Sequence, residues 1–167
     1  VFGKDVWVPL NLGTMSVVEA KAIYVDQRLM TRTEADRFFE TVIASMEPLP
    51  GSVELLTRVK QAGYRVFALS DNVHEFVADY KAKAPWWPLF EGTVISAEIG
   101  MMKPGKGIFD HLLDTWSLDA RETLFMDDVD ANVCGAQAAG LHAFQFTTAP
   151  DAEARMRRDY GMTLPGL

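Results

Sequence analysis

The sequence predicts a doubly wound α/β domain with a parallel, Rossmann-like sheet, preceded by a helical segment. Three observations carry that expectation. From Ser52 onward, short apolar runs alternate with helical patterns, the texture of a parallel sheet with crossover helices. Thr123-Leu124-Phe125-Met126 runs straight into Asp127-Asp128, so a buried strand ends on two carboxylates, outside the carboxyl edge where open α/β sheets keep their ligand sites. The first fifty residues show only helical spacing and no strand.

Composition narrows the class further. A chain of 167 residues with 49% apolar and 23% charged residues holds one domain with a proper core, or a smaller core plus an insertion, and is not a disordered chain. The net charge of −7 and the lack of a Lys/Arg cluster argue against nucleic acid as a partner. No apolar run approaches the roughly 18–20 residues that span a bilayer, so no membrane partner is expected. The single cysteine, Cys134, excludes an internal disulfide and makes a reducing cytoplasmic compartment the default expectation.

In chain order, Val1 to Trp7 shows no starting cap or strand. Residues 16–29 space Val17, Val18, Ala20, Ile23 and Val25 as an amphipathic helix. Thr31 with Glu34 reads as a capping box opening a second helix that carries Phe38, Phe39, Val42, Ile43 and Met46. Pro48, Pro50 and Gly51 make a connector. A helix with Val53, Leu55, Leu56 and Val59 then ends at Gly63, suited to a left-handed cap. Tyr64–Leu69 is a buried strand closing on Ser70-Asp71-Asn72, and a helix follows to about Tyr80. The aromatic loop 84–90 reads as packing, and 93–96 as a short strand. Pro104 holds Lys103 extended and suits the first turn of a helix through Ile108, Phe109, Leu112, Leu113 and Trp116. The acid-ended strand, a small-residue helix stopped at Gly140, and a last strand 141–146 complete the pattern. Expected boundaries are a helical region 1–50, an α/β core 51–150 and a tail 151–167, one polar helix and a loose end.

Two adjacent carboxylates repel each other and need a compensating charge, most simply a hard divalent cation such as Mg2+. The plainer reading makes Asp127–Asp130 a helix start that favours acids. Strand ends of a parallel sheet lie side by side, so Ser70, Lys103 and Asp127/Asp128 can converge. A Ser after a strand is ordinarily an N-cap and a lone loop Lys ordinarily solvated. Together they form a coherent phosphate site. The hydroxyl and helix-start N–H groups of Ser70, Asp71 and Asn72 hold phosphoryl oxygens, the ammonium offsets their charge, and Mg2+ on the carboxylates bridges to them. Receiver domains use similar residues, but there the acid pair comes first in the chain.

The order found here resembles the haloacid dehalogenase-like (HAD) superfamily of phosphohydrolases. Ala68-Leu69-Ser70-Asp71-Asn72 matches its second motif, Met102-Lys103-Pro104-Gly105-Lys106-Gly107-Ile108-Phe109 its third, and Asp127-Asp128 with Asn132 and Ala136 its fourth. The similarity runs from about Gly13 to Phe146 and looks closest to subfamily I phosphatases with a small helical cap, which residues 1–50 would form. The resemblance implies a Mg2+-dependent phosphomonoester hydrolase acting through an aspartyl-phosphate on a small phosphorylated metabolite. Asp128 would ligate Mg2+, Asp127 would ligate it or support its surroundings, Ser70 and Lys103 would hold the phosphoryl group, and Asn132 would orient the acids, with Lys106 the second choice of lysine.

One element of the family pattern is not found. No Asp-x-Asp precedes the cap, so the nucleophile and the central strand that carries it are expected outside these residues, in a longer parent protein, leaving this chain alone inactive. Unpaired strand edges would favour a homo-oligomer. Two rival readings remain: a non-catalytic module binding phosphorylated ligands or a protein, and a 2-haloacid dehalogenase, which the acid pair disfavours because that chemistry needs no metal. His74, His111 and His142 read as surface or packing residues and Cys134 as inert core, while Trp7, Asn11 and Trp86 are positional candidates for substrate contact.

Overall fold

The structure, a computed structural model, describes residues 4–166. In chain order its elements are α1 (Lys4–Asn11), α2 (Val17–Asp26), α3 (Arg32–Ala44), α4 (Ser52–Gln61), β1 (Phe67–Ser70), α5 (His74–Lys83), β2 (Gly92–Ile95), α6 (Ser96–Ile99), α7 (Lys106–Trp116), β3 (Leu124–Asp127), α8 (Asp130–Ala138), β4 (His142–Gln145) and α9 (Ala149–Tyr160), with 3-10 turns at Trp87–Leu89 and Ala120–Glu122. The chain forms two compact units. The first gathers Val1–Glu47, Ser70–Pro85 and Ile95–Met102, and the second gathers Pro48–Leu69, Trp86–Val94 and Lys103–Leu167. The first unit therefore draws on two segments beyond the helical region 1–50.

In the first unit, α2 and α3 both open on complete capping boxes. Glu19 accepts the Ser16 N–H at 2.8 Å while Ser16 Oγ accepts the Glu19 N–H, and Thr31 with Glu34 repeats the pattern. Each box satisfies helix-start donors that would otherwise lack partners. Behind the caps lies an apolar core of Leu10, Tyr24, Phe39, Val73 and Phe76. Trp7 packs its ring 5.9 Å from Phe39 and 6.4 Å from Phe76, so it is a core residue of this unit. Burying a Leu or Phe side chain stabilises by about 1.5–3 kcal/mol, and a unit of short helices depends on that burial.

Helix α1 has no counterpart in the sequence reading. Val1–Gly3 lie outside the described residues, but Lys4–Asn11 is helical with Pro9 inside it. A proline removes one helical donor and ordinarily ends a helix. Here Val6 and Leu10, one turn apart, are both buried, and tertiary packing outweighs the local preference.

In the second unit, β3 and β4 pair in parallel with Leu124 opposite His142 and Asp127 opposite Gln145. β1 pairs with β2, and among the described residues no ladder joins β1 to β3. All four residues of β1 are half-buried rather than buried, because neither β1 nor β3 has a second neighbour among the described residues. Gly92 in β2 is fixed by close approach: a Cβ there would fall 1.9 Å from the Trp116 ring.

The stretch 151–167 is not a loose end. Ala152 and Met156 of α9 and Leu164 beyond it are buried with Leu55 of α4 and Phe144 of β4. Arg58 of α4 pairs with Glu153 of α9, and Arg157 holds the same carboxylate at 2.8 Å. The polar look of this segment comes from its outward face. Cys134 also departs from expectation: it lies on the exposed face of α8, whose buried residues are Asn132, Val133 and Ala136.

Candidate active site

The second unit assembles a charged cluster where β3 ends. Asp127 is the last residue of the strand, and the chain turns at once into α8. Its Oδ1 accepts the Val129 N–H at 2.9 Å and the Asn132 amide at 3.0 Å. Its Oδ2 accepts Lys103 Nζ at 2.6 Å, and that ammonium also donates to the Leu69 carbonyl of β1 at 3.2 Å. Lys103 and Asp127 side chains are each only 8% exposed, which makes this a buried ion pair. Such a pair persists only when its remaining polar atoms are satisfied. The ring of Phe125 lies 5.7 Å from Nζ and adds a cation–π contact.

These contacts set the charge state of Asp127. Burial is the largest influence and pushes its pKa up. The hydrogen bond from Lys103, those from Val129 and Asn132, and the ammonium's charge together outweigh it. The carboxyl lies below its ordinary range and is ionised at neutral pH.

The neighbouring residues are held by their elements. Gly135 of α8 packs on the loop carrying Lys103, so closely that a Cβ would sit 2.4 Å from the Pro104 carbonyl. Gln145, at the end of β4, donates to the Asp128 carbonyl at 2.8 Å. Asp128 is half-buried, and its carboxylate makes no protein hydrogen bond among the described residues. Lys106, the second-choice lysine, bonds Asp110 on its own helix and is 61% exposed.

Ser70, Asp71 and Asn72 belong to the first unit, at the end of β1 before α5. Ser70 Oγ makes no protein hydrogen bond among the described residues. The Asn72 side chain accepts the Val73 N–H at 2.8 Å, and its backbone N–H donates to Ser96 Oγ at 2.9 Å. The positional candidates for substrate contact fare differently: Asn11 bonds the Trp7 carbonyl within α1, and Trp86 packs against Trp87 and Phe90. His142 packs against Tyr160.

Sequence reasoning missed Ser96, Gly135 and Gln145. Ser96 follows a strand as Ser70 does, and that position was the available signal. Gln145 is found only once the β3–β4 register sets it opposite Asp127.

Among the described residues no group of three or more His, Cys, Asp or Glu side chains gathers for a metal, and no helix is long and apolar enough to cross a membrane. Mg2+ does not require an all-protein cage, since it keeps several waters and binds through one or two carboxylates plus substrate phosphate. The donor set fits on those terms. Asp128 offers a hard carboxylate, whereas both Asp127 oxygens already accept protein donors.

A family model described as haloacid dehalogenase-like hydrolase matches residues 3–140. A sesquiterpene phosphatase of Aspergillus oryzae, astK, is 29% identical over 88% of this chain and 75% of its own length. A glyceraldehyde 3-phosphate phosphatase of Pyrococcus abyssi is 26% identical over 65% of this chain, which spans 46% of that protein. Among solved structures, a HAD family enzyme from Bacteroides thetaiotaomicron superimposes with a TM-score of 0.76 at 20% identity, covering 94% of this chain and 80% of that one. The same enzyme crystallised with magnesium and inorganic phosphate gives 0.73 at 22% identity, covering 88% and 77%.

Proposed function

We propose that this chain, which belongs to the haloacid dehalogenase-like hydrolases, carries the phosphoryl-holding part of a Mg2+-dependent phosphomonoester hydrolase acting on a small phosphorylated molecule. The observation that carries the reading is the Lys103 ammonium, fixed between the Asp127 carboxylate and the Leu69 carbonyl at strand ends. A fixed, buried cation of this kind is preorganised to offset the charge of a phosphoryl group. Relatives named as phosphatases support the same class.

Roles follow from the contacts. Lys103 offsets phosphoryl charge. Asp127 holds Lys103 ionised and in place, and Asn132 with the Val129 N–H orients Asp127. Asp128 is the residue that would hold Mg2+, and Gln145 fixes the backbone beside it. Bound there, Mg2+ supplies Lewis acidity to a phosphoryl oxygen. Ser70 contributes a hydroxyl that can donate to the phosphoryl group. Asp71 and Asn72 belong to its loop, but the Asn72 and Val73 N–H groups are already engaged by protein acceptors. No residue of the 167 is assigned as the nucleophile that would form an aspartyl-phosphate.

The test is a titration of inorganic phosphate into the chain with and without MgCl2, followed by 31P NMR. Binding that strengthens with MgCl2 and is lost in Lys103→Ala is expected. Equal binding by the parent chain, Lys103→Ala and Asp128→Asn would refute the assignment. A turnover panel of a sesquiterpenyl phosphate, glyceraldehyde 3-phosphate and phosphoglycolate, run on the longest natural protein containing this sequence, then distinguishes substrate classes.

A further inference from the structure

Ser96 is completely buried, one of two polar residues in the buried core. It is the first residue of α6, directly after β2, and its hydroxyl does not serve its own helix. Instead Oγ accepts the Asn72 N–H at 2.9 Å and lies 3.4 Å from the Asn72 carbonyl, to which it donates. Both partners are in the first unit. The Asn72 side chain closes the next link by accepting the Val73 N–H. Peptide groups on both sides of Asn72 are thereby fixed, between the end of β1 and the start of α5.

A buried hydroxyl is retained at a cost unless it is bonded. Here all of its bonding goes to one residue of the loop that begins with Ser70. The other side of Ser96 is held as firmly. Gly13, with φ of +68°, lies so close to Ala97 that a Cβ would stand 2.2 Å from the Ala97 carbonyl. Ser96 therefore sits on a backbone clamped from behind and reaches forward to the loop.

We propose that Ser96 is a positioning residue for phosphate binding: it fixes Asn72, and through it the Ser70–Asn72 loop, in the conformation that presents the Ser70 hydroxyl to a phosphoryl group. This rests on the phosphomonoester reading above. Ser96 touches no phosphate itself. The two Asn72 hydrogen bonds that hold the loop in register disappear with its hydroxyl, and Ser70 then samples orientations that do not bind.

The experiment compares the parent chain with Ser96→Ala and Ser96→Thr by titration of inorganic phosphate in MgCl2, with thermal melting on the same samples. Ser96→Ala is expected to remain folded and to bind phosphate about tenfold more weakly, while Ser96→Thr, which keeps the hydroxyl, recovers most of the affinity. Phosphate affinity unchanged in Ser96→Ala, with the parent chain binding, overturns the inference and leaves the phosphate site standing. No binding by the parent chain overturns both. Hydrogen exchange at the Asn72 amide of the parent chain tests the clamp without a variant. Protection well beyond that of an exposed loop amide supports it, and exchange at the exposed rate overturns it even where Ser96→Ala does not fold.

Discussion

Replacing Lys103 by methionine isolates the buried pair. Lys103 and Asp127 are each 8% exposed and 2.6 Å apart. Removing one partner of such a pair costs about 3–5 kcal/mol, because the other charge is left buried and uncompensated. The lower end applies here, since Asp127 keeps its bonds from Val129 and Asn132. A loss of about 3 kcal/mol at pH 7 is expected, a large share of a typical 5–15 kcal/mol. In the parent chain the Asp127 pKa is depressed, so its contribution is present above the unfolded value and lost as pH falls through the folded one. In Lys103→Met burial is no longer opposed by an ammonium, and protonating Asp127 relieves the strain. The gap between the two proteins should therefore narrow as pH falls toward about 4. The assay is urea denaturation of the parent chain, Lys103→Met, Asp127→Asn and the double variant at several pH values. The double variant should recover about 2 kcal/mol relative to additivity. A coupling below about 0.5 kcal/mol, or a gap that widens at low pH, would refute the account of the pair.

Three further outcomes are expected. Asp128→Asn should leave the melting temperature nearly unchanged, because its carboxylate has no protein partner among the described residues, while abolishing the Mg2+ enhancement of phosphate binding seen by 31P NMR. Gly135→Ala should destabilise by about 1–2 kcal/mol despite a helix-propensity gain near 1 kcal/mol, since the new methyl meets Pro104 backbone atoms; chemical denaturation reads the sign. Glu153→Gln should destabilise at neutral pH and match the parent chain in strong acid. Hydrogen bonds from Arg58 and then Arg157 depress the Glu153 pKa, so the advantage exists above its ordinary value of about 4.3 and vanishes below the depressed one.

Much of this architecture was legible because its signals are local. Capping boxes at Thr31/Glu34, the run Leu124–Asp127 and the alternation from Ser52 each specify an element within a few residues, and the structure places those elements accordingly. Lys103 with Asp127 followed from strand ends lying side by side, a property of the sheet rather than of either residue. What escaped depends on distant partners. Pro9 advertised a break, and only the burial of Val6 and Leu10 overrides it. The polar composition of 151–167 hid Ala152, Met156 and Leu164, which matter because of what α4 offers them. Ser96 looked like any serine after a strand until Asn72 was found against it.

The alternation of the chain between its two units bears on how it is made. Three segments of the first unit are interleaved with three of the second. During synthesis the first unit stays unfinished until Ile95–Met102 emerges, by which point Pro48–Leu69 has already been exported. Neither unit can mature ahead of the other as an independent amino-terminal piece would. A protease cutting between Glu47 and Pro48 frees no autonomous fragment either, because Val1–Glu47 parts from the two later segments that complete its unit.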